Sequence, residues 1–180
     1  MKIVIMGYSG AGKSTLARWF ADYYGIPCLY LDCVNFKENW QMRDREECRQ
    51  IVADFMRQDS WVIDGNYSEF HQAERIDSAD LVVILQYSRI ACIKGVFGRY
   101  FTYRGKTRES IADGCAEKID SEFFWWVIHK QYSKKKKDKF RSIKSKYPDK
   151  THIIKSRREL NMFLKNVKIY SERGRFQSAD

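Results

Sequence analysis

Gly7-Tyr8-Ser9-Gly10-Ala11-Gly12-Lys13-Ser14, with Thr15 directly behind it, fits the pattern G-x-x-x-x-G-K-[ST] of a phosphate-binding loop. The spacing has a mechanical basis. Glycines let the backbone wrap closely around phosphates so that successive N–H groups point inward. A helix starting at Lys13 adds the positive end of its dipole. Lys13 then reaches the β- and γ-phosphates, and the Ser14 hydroxyl is the expected magnesium ligand. Gly7, Ser9, Gly10, Ala11, Gly12, Lys13, Ser14 and Thr15 are therefore the expected contacts of a nucleoside triphosphate.

The flanking residues supply the context this motif needs. Lys2-Ile3-Val4-Ile5-Met6 before it is an apolar, β-branched run that reads as a buried parallel strand. After it, Leu16, Trp19, Phe20 and Tyr23 recur at helical spacing until Gly25 and Pro27 stop the helix. Strand, loop and helix fall in the order that a bound triphosphate requires.

At 180 residues and 44% hydrophobic content the chain is one ordinary domain with a proper core, not a disordered protein. No apolar run approaches the roughly 20 residues that span a bilayer. The chain opens on a strand rather than a charged-then-apolar leader, so no signal peptide is expected, and its cysteines lead to the expectation of a cytoplasmic protein. Cys28, Cys33, Cys48, Cys92 and Cys115 include no C-x-x-C pair, which speaks against disulfides and zinc and for reduced thiols. The formal charge of +10 calls for polyanionic partners, either small phosphorylated molecules or nucleic acid.

Further strands are expected at 27–31, 61–63, 81–85 and 151–155. Helices are expected at roughly 43–57 within a substrate-side segment of about 36–57, at 68–76, at 89–103, as one long helix over 123–147, and from Glu159 onward. Five apolar strands separated by helices make a parallel α/β sheet covered on both faces. Residues 104–120 form an irregular insertion suited to a lid. The domain is expected to end near residue 170, leaving 171–180 as a frayed tail.

In such a sheet ligands collect beyond the carboxyl ends of the strands. Asp64, at the end of the third strand, is placed to hold magnesium; a simple Asp-Gly turn with Gly65 is the alternative. Asp32, after the second strand, is placed to orient an attacking hydroxyl and take its proton, or to cap the next turn. Arg99, Arg104 and Arg108 flank and enter the lid, where guanidinium groups would stabilise a transferring phosphoryl group, unless they are surface charges. Arg43 and Arg45 are candidates for an anionic group of the acceptor. Lys134-Lys135-Lys136-Lys137 reads as a solvated helix face more than a nucleic-acid patch, and Phe123-Phe124-Trp125-Trp126 reads as core packing.

With these residues in view, the chain resembles the adenylate-kinase-like P-loop kinases over nearly its whole length. Within them it is similar to the small bacterial DNA topology modulation proteins of the FlaR type. The resemblance is carried by the loop from Met6 to Thr15, Leu31-Asp32, Trp61-Val62-Ile63-Asp64-Gly65-Asn66-Tyr67, Arg99-Tyr100 and Tyr103-Arg104-Gly105-Lys106-Thr107-Arg108. Gly114-Cys115, Phe124-Trp125-Trp126-Val127 and Lys146-Tyr147-Pro148-Asp149-Lys150 extend it.

The resemblance implies a three-layer sandwich around a sheet of order 2-3-1-4-5, a mobile lid, and ATP–Mg²⁺-dependent phosphorylation of a small molecule. It implies that the loop of Ser156, Arg157 and Arg158 meets the adenine, and that Gly65 and Asn66 join Asp32 and Arg43 on the acceptor side. Adenylate kinases follow Asp-Gly with an apolar residue, Pro and Arg. This chain has Asn66-Tyr67-Ser68, so the resemblance does not extend to AMP as the acceptor. A nucleotide-gated DNA-binding protein using the basic 130–146 helix is the rival reading, disfavoured because no DNA-reading module is apparent.

Overall fold

The structure, a computed structural model, describes residues 1–103, 110, 111, 125, 127 and 129–177, with 169–177 described by backbone alone. A parallel sheet of order β2-β3-β1-β4-β5 forms its centre. Its strands are β1 (Lys2–Gly7), β2 (Cys28–Tyr30), β3 (Trp61–Asp64), β4 (Leu81–Leu85) and β5 (Thr151–Ile154). The helices are α1 (Lys13–Tyr24), α2 (Leu31–Asn35), α3 (Arg45–Met56), α4 (Gln72–Ser78), α5 (Arg89–Tyr103), α6 (Lys134–Lys146) and α7 (Arg157–Gln177). This is the expected three-layer α/β architecture.

The strands are buried as their composition dictates. Ile3 to Met6 and Val82 to Leu85 are all wholly inaccessible, the pattern of strands covered on both faces. β1 lies between β3 and β4, with Ile5 opposite Asp64 and Gly7 opposite Leu85. The strand order therefore reverses at the carboxyl end of β1, where ligands of open parallel sheets bind. In one layer α7 lies beside α1, with Lys168 over the Trp19 ring. In the other α6 lies beside α4, where the Tyr147 hydroxyl donates to Asp77 at 3.0 Å.

Several elements differ from the sequence reading. The second strand ends at Tyr30, and Asp32 sits in the first turn of α2 rather than at a strand tip. Residues 68–71 are turn, and α4 begins only after His71, which is left-handed at φ 50°. The long helix expected over 123–147 is interrupted. A 3₁₀ turn over Lys130–Tyr132 precedes Ser133, whose hydroxyl accepts the Lys136 amide and starts α6 afresh. Arg157 and Arg158 open α7 instead of lying in a loop, and its helical backbone runs to Gln177, past the expected end near 170. Of the expected lid only Ser110 and Ile111 are described, both buried. Trp125, expected in the core, is 59% exposed and lies against the His129 ring; Phe123, Phe124 and Trp126 are outside the described residues. Cys48 and Cys92 are buried and Cys28 and Cys33 partly so.

Candidate active site

At Gly7 and Gly10 the turn after β1 is shaped by main-chain contacts that leave no room for a side chain. Gly7 has φ 137°, and a Cβ there would stand 2.2 Å from the Leu85 carbonyl oxygen. Gly10 has φ 77°, and its Cβ would stand 2.2 Å from the Cys92 carbonyl oxygen on α5. Gly95, one turn along α5, faces the Gly10 carbonyl just as closely. Gly12 caps α1 in the left-handed region, without a side-chain cap. The first amides of α1 thus have neither an intrahelical acceptor nor a capping oxygen. With the helix dipole behind them they form a cradle for an anion. Lys13 folds back over the loop, its Nζ donating to the Tyr8 carbonyl at 3.3 Å.

Three distant segments clamp this loop. The Asn66 side chain accepts the Gly7 amide at 3.0 Å and donates to the Gly7 carbonyl at 2.7 Å. Gln131, in the 3₁₀ turn before α6 and almost wholly buried, accepts the Ser9 amide at 2.8 Å and donates to the Val127 carbonyl. Ser14 Oγ donates to Asp64 Oδ2 at 2.8 Å. The loop carrying Asn66 is itself held from beneath by Arg75, which is 0% exposed. Its guanidinium donates to the carbonyls of Phe70, Tyr67 and, at 3.5 Å, Gly65. Burial pulls the Arg75 pKa down to about 10, which leaves it charged at neutral pH.

A cavity of about 840 Å³ opens over the loop, lined by Gly10, Gly12, Lys13, Ser14 and Thr15. Arg99 and Tyr103 at the end of α5, and Arg157 at the start of α7, line the same space. Asp32, Arg43, Asp64, Gly65 and Asn66 are not in its lining. Arg43 is committed elsewhere: it donates to the Val34 carbonyl and pairs with Glu47. Arg45 binds the Asn35 side chain and pairs with Glu69 at 2.9 Å. Arg104 and Arg108 lie outside the described residues.

Asp32 has a partner that sequence reasoning missed. The Tyr67 hydroxyl donates to Asp32 Oδ1 at 2.9 Å, and Tyr67 stacks on Phe70. Burial first, then the Asp32 charge beside it, raises the Tyr67 pKa, so the phenol stays a donor. Lys136 is the second omission. It is half-buried, its ammonium lies 5.5 Å from the Tyr8 ring centre, and its pKa is pushed down to about 8 by burial and then by Lys13 and Lys139. One turn on, Lys139 donates to Ser68 at 2.7 Å. The lysine run is therefore not a uniform solvated face. Its signal was present in the register: Tyr132, Lys136 and Phe140 are spaced by four, so position 136 belongs to the inward stripe.

Among the described residues no group of three or more His, Cys, Asp or Glu side chains gathers as a cation site. Ser14 and Asp64 fit a cation that arrives with phosphate oxygens and keeps waters as its other ligands. No described helix is long and apolar enough to cross a membrane.

No protein-family profile matches the chain. The chain is 30% identical over 98 residues to the adenylate kinases of two Clostridium perfringens strains, SM101 and ATCC 13124, over 43% of this chain and 45% of each relative. It thus spans somewhat under half the length of the curated relatives it matches. Among solved structures, the shikimate kinase of Bacteroides thetaiotaomicron superposes with a TM-score of 0.52 at 17% identity, covering 96% of this chain and 98% of that one. An uncharacterized protein of Eubacterium ventriosum superposes with a TM-score of 0.46 at 16% identity, covering 93% and 99%. The five-stranded parallel sheet with helices on both sides is the fold this chain has in common with shikimate kinase, and its partial sequence similarity is to adenylate kinases.

Proposed function

We propose that this chain transfers the terminal phosphoryl group of ATP to a hydroxyl-bearing small molecule. The observation that carries the reading is the glycine cradle at the uncapped start of α1, with Lys13 folded over it and Ser14 joined to Asp64, at the floor of a cavity of about 840 Å³. Kinship to adenylate kinases and a fold in common with a shikimate kinase support the same class of chemistry.

In this reading the loop amides and Lys13 hold the triphosphate, and Arg157 borders the base. Magnesium, held by Ser14 and Asp64, would neutralise charge on the β- and γ-oxygens. Asp32, oriented by Tyr67, accepts the proton of the attacking hydroxyl as its oxygen bonds to the γ-phosphorus and the β–γ bridge breaks to leave ADP. Arg99, with Arg104 and Arg108 from the lid, and Lys136 from α6 supply positive charge around the transferring group. Arg43 and Asn66 act on the acceptor side by shaping it, since their polar groups are already bound to Val34, Glu47 and Gly7. The narrower kinship to DNA topology modulation proteins rests on the quoted motifs alone.

The test is transfer of labelled γ-phosphate from ATP–Mg²⁺ across a panel of nucleosides, nucleotides and sugars. A product is expected with at least one acceptor, lost in Lys13→Ala and in Asp32→Asn. No transfer to any of them would overturn the reading. DNA binding that ignores Lys13→Ala and vanishes on charge reversal of Lys134–Lys137 would favour the rival.

A further inference from the structure

A second cavity, of about 880 Å³, adjoins the first. Tyr87, Ser88 and Lys155 line both, so the carboxyl ends of β4 and β5 form the partition between them. Beyond the partition the walls are α6 on one side and the first turns of α7 on the other, with β5, the outermost strand of the sheet, as floor.

The lining is strongly one-signed. Arg89, Lys137, Arg141, Lys144 and Lys155 contribute positive charge, and Glu159 is the only carboxylate among the described lining residues. That carboxylate is occupied at the start of α7, accepting the Lys155 amide at 2.8 Å and the Ser156 hydroxyl at 3.3 Å. Lys137, Arg141 and Lys144 stand at i, i+4 and i+7 on α6 and share one face. Lys144 is partly satisfied by the carbonyls of Pro148 and Thr151, and Arg141 reaches Asp138 at 3.2 Å with its side chain three-quarters exposed. The carbonyls leave the Lys144 charge uncompensated, and Asp138 offsets Arg141 in part from outside the lining.

A second observation is independent of this charge. Tyr87 and Thr151, both in the lining, are 3% and 0% exposed. Their hydroxyl oxygens have no hydrogen-bond partner among the described residues. A buried hydroxyl left alone carries a desolvation cost, and such groups in native proteins commonly meet a ligand or an ordered water.

We infer that this cavity binds the phosphate group of a phosphorylated small molecule, at a site distinct from the phosphate cradle over α1. The cations of α6 span seven residues, about 10 Å of helix. That matches a short phosphate chain and is too short a track for single-stranded nucleic acid, whose binding sites cover several nucleotides. Arg89, at the start of α5, and Lys155, directly after β5, bring charge to the same cavity from other elements, so its cations are not confined to a stripe along one helix. The shared partition of Tyr87, Ser88 and Lys155 gives an occupant of this cavity direct contact with the wall of the other.

Calorimetric titration with inorganic pyrophosphate tests the inference without reference to catalysis. Lys13→Ala removes the principal side-chain contact of the first site, and this variant is expected to retain one pyrophosphate site per chain. Adding Lys137→Glu and Arg141→Glu, both surface positions, should weaken that site roughly tenfold per cation, the scale of a lost charge-assisted bond to phosphate. Unchanged melting temperature checks that these variants fold. Absence of a pyrophosphate site in Lys13→Ala, or a site indifferent to the charge reversals, would overturn the inference. So would tighter binding of a 20-nucleotide single strand that disappears with the same reversals, since the face would then serve a polynucleotide. Phosphoryl transfer by the Lys137→Glu, Arg141→Glu protein, assayed separately, reports on the kinase reading and not on this one.

Discussion

Ser14 Oγ donates to Asp64 Oδ2 at 2.8 Å, joining the first turn of α1 to the end of β3 across 50 residues of chain. The two oxygens arrive on separate elements, yet both are rigidly placed, one by a helix and the other by the sheet. This is the pairing needed by a cation that bridges protein and phosphate. Ser14→Ala and Asp64→Asn should each lower kcat by roughly 100-fold, the loss typical of removing one preorganised electrostatic partner. Triphosphate binding in the absence of magnesium should change little. Steady-state kinetics over a magnesium titration, beside calorimetry in EDTA, will separate the two effects.

Gln131 reads as a positioning residue. Its side-chain oxygen holds the Ser9 amide and its nitrogen holds Val127. Gln131→Leu leaves a buried loop N–H unpaired and should raise the dissociation constant for ATP about tenfold. Gln131→Asn keeps an uncharged amide acceptor and should recover part of that affinity. Equal losses in the two variants would show that packing, and not the bond to Ser9, sets the loop.

The depressed pKa of Lys136 makes a signed prediction. Burial, Lys13 and Lys139 hold it at about 8 in the folded chain, below the ordinary 10.5. Between those values the unfolded chain binds the proton and the native one does not, so this group makes stability rise with pH through the window and fall back as pH drops through about 8. A triphosphate on the loop would favour the charged ammonium again. ATP binding at pH 9 should therefore take up a proton, seen as a dependence of calorimetric heat on buffer ionisation enthalpy. Lys136→Met should abolish the uptake.

Arg75 carries no expected chemistry, yet its removal should be among the costlier substitutions. Three carbonyls of the 65–70 segment depend on a side chain with no exposure. Arg75→Met strands them and should destabilise the fold by about 3 kcal/mol. Urea unfolding at neutral pH measures it, and a loss below about 1 kcal/mol would mean that water replaces the guanidinium.

What could be read in the sequence followed from local patterning. β1 and β4 are unbroken apolar runs, α1 shows its period from Leu16 to Tyr23 and a left-handed Gly25 as its stop, and the phosphate loop is contiguous in the chain. What escaped depends on tertiary geometry. Tyr67 meets Asp32 across 35 residues and Gln131 meets Ser9 across 122, and no spacing rule connects them. The break before α6 has no proline or glycine to mark it. Only the Ser133 cap announces it, and a serine among lysines gives a weak boundary signal. Asn66 illustrates a different limit. It was expected to face the acceptor, but its amide closes on the Gly7 backbone, because the main chain beside it offers a donor and an acceptor together.

The close approach of Gly95 to Gly10 bears on association kinetics. A cradle already pressed into shape by a neighbouring helix has little conformational freedom left to surrender when a polyphosphate arrives. Encounter, not rearrangement of this loop, then limits capture, and the cationic surroundings steer it. The on-rate should be fast and should drop steeply as salt is added.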